Sequence, residues 1–452
     1  MKLTFWEIGE AVEATNDYRQ WDDFTVSKIE FDARNIEQGD LFIPLKGQTD
    51  GHQYIQQAID NGAIATLWAH DEQPNLPFLQ VEDSLKAMQQ LAHYYRAKMN
   101  PSVIAITGSN GKTTTKDMTA AVAATKYHTY KTQGNYNNEI GMPYTILHMP
   151  DDTEVLVLEM GMDHAHQIEV LSEIAVPDVA AITLIGESHI EHLGSRAGIA
   201  KAKMEITAGL KQDGTLIVPA DEPLLRPLMA SIPQTIRTFG LGDDAMVRAE
   251  IVHTGKNQTT FTTNLFAGEL TIPVLGDYNV KNALIALMIG TLLDIPFEQM
   301  KEGIENFQLT KQRTEWVESS RGVEILSDVY NANPTAMKLV LDNFAKIETP
   351  KIKVAVLGDM LDLGEHSQDM HASIEQHLDP AIVQTVYLYG TEMKALYDAL
   401  VDRYDEAHLH YYPLDQKQQL MDDLKQNTND QTMVVLKASH GTGLAEVVDY
   451  IK

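Results

Sequence analysis

Residues 104–114 read Ile-Ala-Ile-Thr-Gly-Ser-Asn-Gly-Lys-Thr-Thr. A short apolar run ends at Thr107, a glycine-rich turn follows, and a helix opens at Thr113. Glycines let the backbone curl so that N–H groups point at phosphate oxygens, and the helix N-terminus adds positive potential. In such a loop Lys112 reaches the β- and γ-phosphates and the Thr113 hydroxyl ligates Mg²⁺. The longer G-x-x-x-x-G-K-[ST] pattern is not met, because Ile106 stands five residues before Gly111; what remains is G-x-x-G-K-T-T. The plain alternative is a tight turn with an incidental lysine. A strand before the loop and a helix after it favour nucleotide binding.

Outward from the loop, the runs EVLVLEM (154–160), DVAAITLI (178–185) and GTLIVPA (214–220) have strand length and are apolar throughout. Such runs suit strands covered on both faces, hence a parallel sheet with helices packed on it. Residues 247–274 instead alternate polar and apolar, as antiparallel strands added at an edge do. Two helices follow, NVKNALIALMIGTLL (279–293) and PFEQMKEGIENF (296–307), with Met288 and its neighbours read as core. From about residue 314 the α/β rhythm restarts with VEILSDVY, KIKVAVLGDM, TVYLYG and TMVVLKAS. Before the loop, residues 1–82 read as a small unit of short strands. Within it, HQYIQQAIDNGAIATLW predicts a helix stopped at Asn61-Gly62, then a strand. A helical connector (84–99) follows, broken at Asn100-Pro101. The expected domains are therefore 1–82, 83–313 and 314–452.

The whole chain has 452 residues, 44% of them hydrophobic, values of an ordinary globular protein of two or three domains. It lacks cysteine, which removes disulfides, thiol nucleophiles and thiolate metal sites and leaves oxygen or imidazole donors. The balance of 35 basic against 64 acidic residues gives −29, which argues against nucleic acid as a partner. The start MKLTFWEIGE shows no signal pattern, and the longest strongly apolar run, Ala283 to Leu293, is too short to span a bilayer. A cytoplasmic protein is expected.

Candidate metal ligands stand at strand ends. Glu159 closes the strand EVLVLEM, where doubly wound sheets bind ligands; a surface acid is the commoner reading of such a residue alone. His189, Glu191 and His192 crowd the segment GESHIEHLGS just past DVAAITLI, and a neutral imidazole there can ligate a divalent ion; a solvated polar turn explains them equally. In GIAKAKMEITAGL, Lys201 and Glu205 are spaced as an i, i+4 surface pair, whereas Lys203 has no such partner.

Taken together these segments resemble the Mur ligases of peptidoglycan synthesis. The resemblance runs along essentially the whole chain: DARNIEQGDLFIPLKG, DGH, TGSNGKTT, GNYNNEIGMP, LEMGM, GESHIEHLGS, IAKAKMEI, GDYNVKNAL, SDVYNANP, VLGDMLDLG and LKASHGTGL. It implies a three-domain α/β architecture with a central P-loop parallel-sheet ATPase domain and a smaller C-terminal α/β domain. It implies ATP and two Mg²⁺ ions as cofactors, a UDP-N-acetylmuramoyl-tripeptide and D-alanyl-D-alanine as partners, no nucleic acid, and a monomer.

By motif, Gly108, Ser109, Asn110, Gly111, Lys112, Thr113 and Thr114 would bind the ATP phosphates. Glu159, His189 and Thr113 would hold Mg²⁺, with Lys203 as a carbamylated lysine bridging the metals. Lys112, Lys203 and His189 would form the catalytic set. Asn279 and Asn282 would contact the nucleotide, with Arg313 and Asp328 reaching it from the third domain. Asn137, Asn138, Tyr330, Asn331 and Asn333 would lie on the acceptor side, and Ser27, Arg34, Lys46, Asp50 and His52 at the UDP-sugar end. Ala33, Leu184, Tyr278, Gln312 and the KASH segment depart from the family pattern. The reaction implied is ATP-dependent amide formation through an acyl phosphate. The alternatives are another Mur-type or folylpolyglutamate-type ligase, a P-loop hydrolase or switch, and an inactive nucleotide-binding module.

Overall fold

The computed structural model describes residues 3–310 and 314–452. Arg313 lies outside the described residues. Three parallel-rich sheets follow one another along the chain. The first has four short parallel strands in the order Ile29–Glu30, Leu41–Phe42, Ala65–Trp68, Phe78–Gln80. The helix Ile55–Asn61 stops where Gly62 turns left-handed at φ +114°, as the Asn-Gly pair predicts. The helix Ser84–Met99 is capped at its start by Asp83 and ends at Asn100, which takes φ +50° ahead of Pro101. It links the first sheet to the second and packs against the helix Gly141–Leu147. Across the same junction the Tyr144 hydroxyl donates to buried Glu30 at 2.9 Å.

The second sheet has nine strands, and its order explains where the site sits. Starting from one edge they are Thr129–Lys131, Val155–Glu159, Ser102–Thr107, Val179–Ile182, Thr215–Pro219 and Thr235–Gly240, all parallel. Val247–Thr254 continues the parallel run, and Thr259–Thr263 and Phe266–Ile272 then add antiparallel, as the alternating pattern at 247–274 predicts. The chain leaves Ser102–Thr107 toward one edge and returns on its other side at Val179–Ile182. The order therefore reverses at Ser102–Thr107, and its carboxyl end is the switch point where open α/β sheets bind ligands. The helix Lys112–Ala124 grows from that end and is covered by the apolar helix Asp277–Leu292, in which Met288 is buried core.

The third sheet orders Glu315–Glu318, Glu324–Asp328, Thr432–Lys437, Ile352–Gly358, Thr385–Tyr389 and Leu409–Tyr412, parallel except for its first pair. Its helix Pro334–Lys346 points its N-terminus at the phosphate loop of the second sheet. No helix among the described residues is long and apolar enough to cross a membrane.

Candidate active site

The phosphate loop has the backbone its glycines permit. Gly108 takes φ +149° and Gly111 φ +81°, regions closed to most side chains. A Cβ on Gly111 would also stand 2.7 Å from Asn282 Oδ1, so the glycine lets the helix Asp277–Leu292 approach the loop. Lys112 folds back and donates from Nζ to the Gly108 carbonyl at 2.8 Å. The Ser109 hydroxyl is buried with no hydrogen-bond partner among the described residues.

Beside the loop opens a cleft of about 500 Å³ whose walls include Lys112, Asn137, Asn138, Glu159, His189, Tyr330 and Asn331. Glu159 ends its strand inside this cleft. One carboxylate oxygen accepts from Asn137 Nδ2 at 2.8 Å; the other is buried and unpartnered among the described residues. His189 sits in a left-handed backbone conformation, φ +61°, with Nδ1 also lacking a hydrogen bond. Its nearest acid is Asp362, 3.5 Å away. Burial, then the charges of Lys112 and Lys203, pull the His189 pKa below the ordinary imidazole value, which keeps a lone pair available. A buried carboxylate oxygen and a neutral imidazole nitrogen, both unsatisfied in one cleft, are an oxygen/nitrogen donor set that suits a divalent cation. Lys203 is fully buried; burial and the nearby Lys112 push its pKa well below that of a free lysine, with Glu205 and Glu159 opposing.

A second, narrower pocket lies on the other side of Gly111. It is lined by Asn110, Thr114, Tyr278, Asn282, Asp328 and Lys437, among others. Asn282 donates to Asn279 at 3.1 Å, and Asn279 donates to the Leu275 carbonyl at 2.7 Å. The two asparagines are thus held in place, with Asn282 nearer the loop. Asp328 is neutralised by Lys437, whose Nζ is 2.7 Å from Oδ2 and 2.9 Å from the Asn331 carbonyl.

The structure therefore brings together Gly108 to Thr114, Glu159, His189, Lys203, Asn137, Asn138, Asn282, Asp328, Tyr330 and Asn331. Asn110 and Asn333 spend their side chains on each other across the junction of the second and third sheets. Ser27, Arg34, Lys46, Asp50 and His52 lie on the first unit, away from the lining of this cleft. Arg34 pairs with Asp32 at 2.6 Å. His52 is buried; its Nε2 accepts the Ala69 N–H at 3.2 Å, so Nδ1 is the donor to Asp50 at 2.7 Å. His70 stacks on His52 with centroids 3.9 Å apart and reaches the other Asp50 oxygen at 3.0 Å. With the His52 lone pair spent on a backbone N–H, this trio holds its own loop.

Sequence reasoning missed Lys437, Glu187 and Ser188. Lys437 stood in a quoted motif, but only the parallel register of its strand against Glu324–Asp328 sets it opposite Asp328. The pair expected between Lys201 and Glu205 is not formed. The Glu205 carboxylate instead accepts the backbone N–H of His166 at 2.8 Å, beside the start of the helix Gln167–Ala175.

A phosphate loop at a switch point, a buried carboxylate–imidazole pair beside it, and a further domain closing over both define an ATP-dependent ligase. Sequence models described as Mur ligase family, catalytic domain; Mur ligase middle domain; and Mur ligase, glutamate ligase domain match residues 25–96, 106–290 and 312–440. The chain belongs to the Mur ligase family. It is 39% identical to the UDP-N-acetylmuramoyl-tripeptide--D-alanyl-D-alanine ligase of Bacillus subtilis, over 99% of this chain and 98% of that one. Among solved structures it is similar to MurF from Acinetobacter baumannii (TM-score 0.91, 27% identity, 100% of this chain and 99% of that one). It is also similar to MurF ligase from Thermotoga maritima in complex with ADP (TM-score 0.83, 25% identity, 97% and 98%).

Proposed function

We propose that the chain joins D-alanyl-D-alanine to a UDP-N-acetylmuramoyl-tripeptide in the cytoplasmic assembly of peptidoglycan precursors, with ATP converted to ADP and phosphate. The observation that carries this reading is the convergence of Lys112, Glu159 and His189 on one cleft at the phosphate loop. The relatives named for this reaction match nearly the full chain.

A carboxylate does not acylate an amine directly, because an oxide is too poor a leaving group. In the first step a terminal carboxylate oxygen of the tripeptide forms a bond to the γ-phosphorus of ATP. The bond from that phosphorus to the β–γ bridging oxygen breaks, leaving ADP and an acyl phosphate. In the second step the dipeptide amine attacks the acyl carbon, the C–O bond to phosphate breaks, and the amine sheds its proton as the amide forms.

The first step brings two anions together, so positioning and charge neutralisation dominate. Lys112 would supply positive charge at the γ-phosphate, and Arg313 is the further candidate for that role. Thr113, Glu159 and His189 would hold Mg²⁺, and Lys203, neutral enough to add CO₂, would supply a carbamate anion toward a second ion. Bound there, the metals offset charge on the transferring phosphoryl group. Asn282 and Asp328 line the nucleotide side, with Asn279 holding Asn282 from behind, and Asn137, Asn138, Tyr330 and Asn331 the acceptor side. Ser27, Arg34, Lys46, Asp50 and His52 belong to the unit that takes the UDP-sugar. The division of labour follows the domains 1–82, 83–313 and 314–452.

The test is phosphate release with ATP and UDP-N-acetylmuramoyl-tripeptide, offering D-Ala-D-Ala, single amino acids or glutamate as acceptor. Amide product with the dipeptide alone supports the reading. Preference for glutamate or a single amino acid moves the chain to another branch of the family, and phosphate release independent of any acceptor makes it a hydrolase.

A further inference from the structure

Asn333 has no exposed surface and no spare hydrogen-bonding capacity. Its Oδ1 accepts the Ala336 N–H at 2.9 Å, capping the helix Pro334–Lys346, and also accepts from Asn110 Nδ2 at 3.2 Å. Its Nδ2 donates to Asn110 Oδ1 at 3.0 Å and to the Ser188 hydroxyl at 2.7 Å. An amide offers two donors and two acceptor sites, and all four are used within the protein. Two residues on, Thr335 gives both its backbone N–H and its hydroxyl to the Glu187 carboxylate, at 2.9 and 3.0 Å. The first turn of one helix of the third domain thus grips the phosphate loop at Asn110 and, at Glu187 and Ser188, the segment leading directly into His189. The Glu191 N–H reaches the Asp362 carbonyl at 3.3 Å, so a second point of the third domain holds the far side of His189.

We propose that Asn110 and Asn333 form a docking latch, and that Asn333 is a positioning residue rather than a substrate contact. When the third domain is seated, one amide pair fixes the phosphate loop and the His189 segment relative to each other. When it swings away, Asn110, Ser188 and Glu187 lose their partners together, and the left-handed His189 loses the contacts that hold it. The loop Gly108 to Thr114 itself belongs to the second domain. Weakening the latch therefore lowers the fraction of molecules competent for the chemical step and leaves the ATP site largely formed. The kinetic part of this proposal rests on the ligase reading; the conformational part does not.

Two variants separate the latch from the helix cap. Asn333→Asp keeps an oxygen for the Ala336 N–H and removes both donors. Asn110→Ala breaks the pair without touching the cap, and covers the case in which Asn333→Asp fails to fold. The latch predicts that each lowers kcat at least tenfold, and that Asn333→Asp, which lies outside the phosphate loop, keeps KM for ATP within threefold. The double variant should be little worse than the poorer single one, because both remove the same interaction. X-ray scattering with a non-hydrolysable ATP analogue and the UDP-tripeptide should give a larger radius of gyration for each variant than for the wild-type chain. Wild-type kcat in Asn110→Ala, multiplicative losses in the double variant, or a raised KM for D-Ala-D-Ala with kcat kept would overturn it. A wild-type chain that makes no amide product sinks the ligase reading instead, and the scattering comparison still decides the latch.

Discussion

The carboxylate of Asp117, one turn into the helix that opens at the phosphate loop, accepts both the backbone N–H and the hydroxyl of Thr310, at 2.9 and 2.8 Å. Its other oxygen accepts from Lys131 at 2.6 Å and lies 3.4 Å from Lys116. The segment leading to the third domain is thereby tied to the nucleotide-binding helix by a buried charge cluster. Removing one member of such a cluster strands the others, at a typical cost of about 3–5 kcal/mol. Asp117→Ala is expected to lose stability on that scale in urea unfolding, and to lower turnover beyond what the stability loss explains.

The same group sets part of the acid sensitivity. Burial pushes the Asp117 carboxyl up, but Lys116 and Lys131 outweigh it, and its pKa lies below the ordinary value. A carboxyl with a depressed folded pKa adds stability above its unfolded pKa, about 4, and loses it as pH falls through the folded value. Unfolding free energy of the wild type should therefore fall more steeply below about pH 4 than that of Asp117→Asn. Parallel pH curves for the two would remove Asp117 from the acid response.

Gly111 should not tolerate a side chain. At φ +81° an alanine carries a strain of roughly 1–2 kcal/mol, and its Cβ would press on Asn282 Oδ1. Gly111→Ala should weaken ADP and ATP binding at least tenfold in calorimetry while costing only a small drop in thermal midpoint. Unchanged nucleotide affinity would show that the Asn282 approach is irrelevant to the site.

Lys203 is expected to act through an anion made from its neutral amine. Lys203→Ala should lose at least 100-fold in turnover, on the scale of about 3 kcal/mol for losing a preorganised charge contact. Acetate or propionate, which place a carboxylate in the vacated space, should recover part of it, and Lys203→Arg should stay inactive because a guanidinium cannot become an anion. Full activity in Lys203→Arg would make the lysine a packing residue.

The sheet around the phosphate loop was readable because its signals are local. A β-branched run, two glycines and a lysine are consecutive, and Glu159 and His189 each stand at the end of a run that reads as a strand. The antiparallel edge at 247–274 followed from period-two alternation in the same way. The pairing of Asn110 with Asn333 was not legible, because it joins residues far apart in sequence through the docking of two domains. Asn110 reads as a phosphate ligand from its loop, and Asn333 as an acceptor-side contact from its motif. Lys437 with Asp328 escaped because strand order and register decide which strand ends become neighbours, and Asp117 with Thr310 because a helix and an irregular segment 193 residues apart meet only in the folded chain. Glu205 shows the opposite failure: helical spacing offered it Lys201, and the fold gave it the N–H groups near the start of another helix.

The cleft of Lys112, Glu159 and His189 is proposed to activate a carboxylate by phosphorylation. Tripeptide labelled with ¹⁸O in its terminal carboxylate tests this most directly, by mass analysis of the phosphate released when D-Ala-D-Ala is joined. An acyl phosphate route transfers one carboxylate oxygen to phosphorus, so phosphate should carry one ¹⁸O per amide formed, and none should come from Lys112→Ala, in which turnover is lost. Unlabelled phosphate released alongside amide product would contradict it.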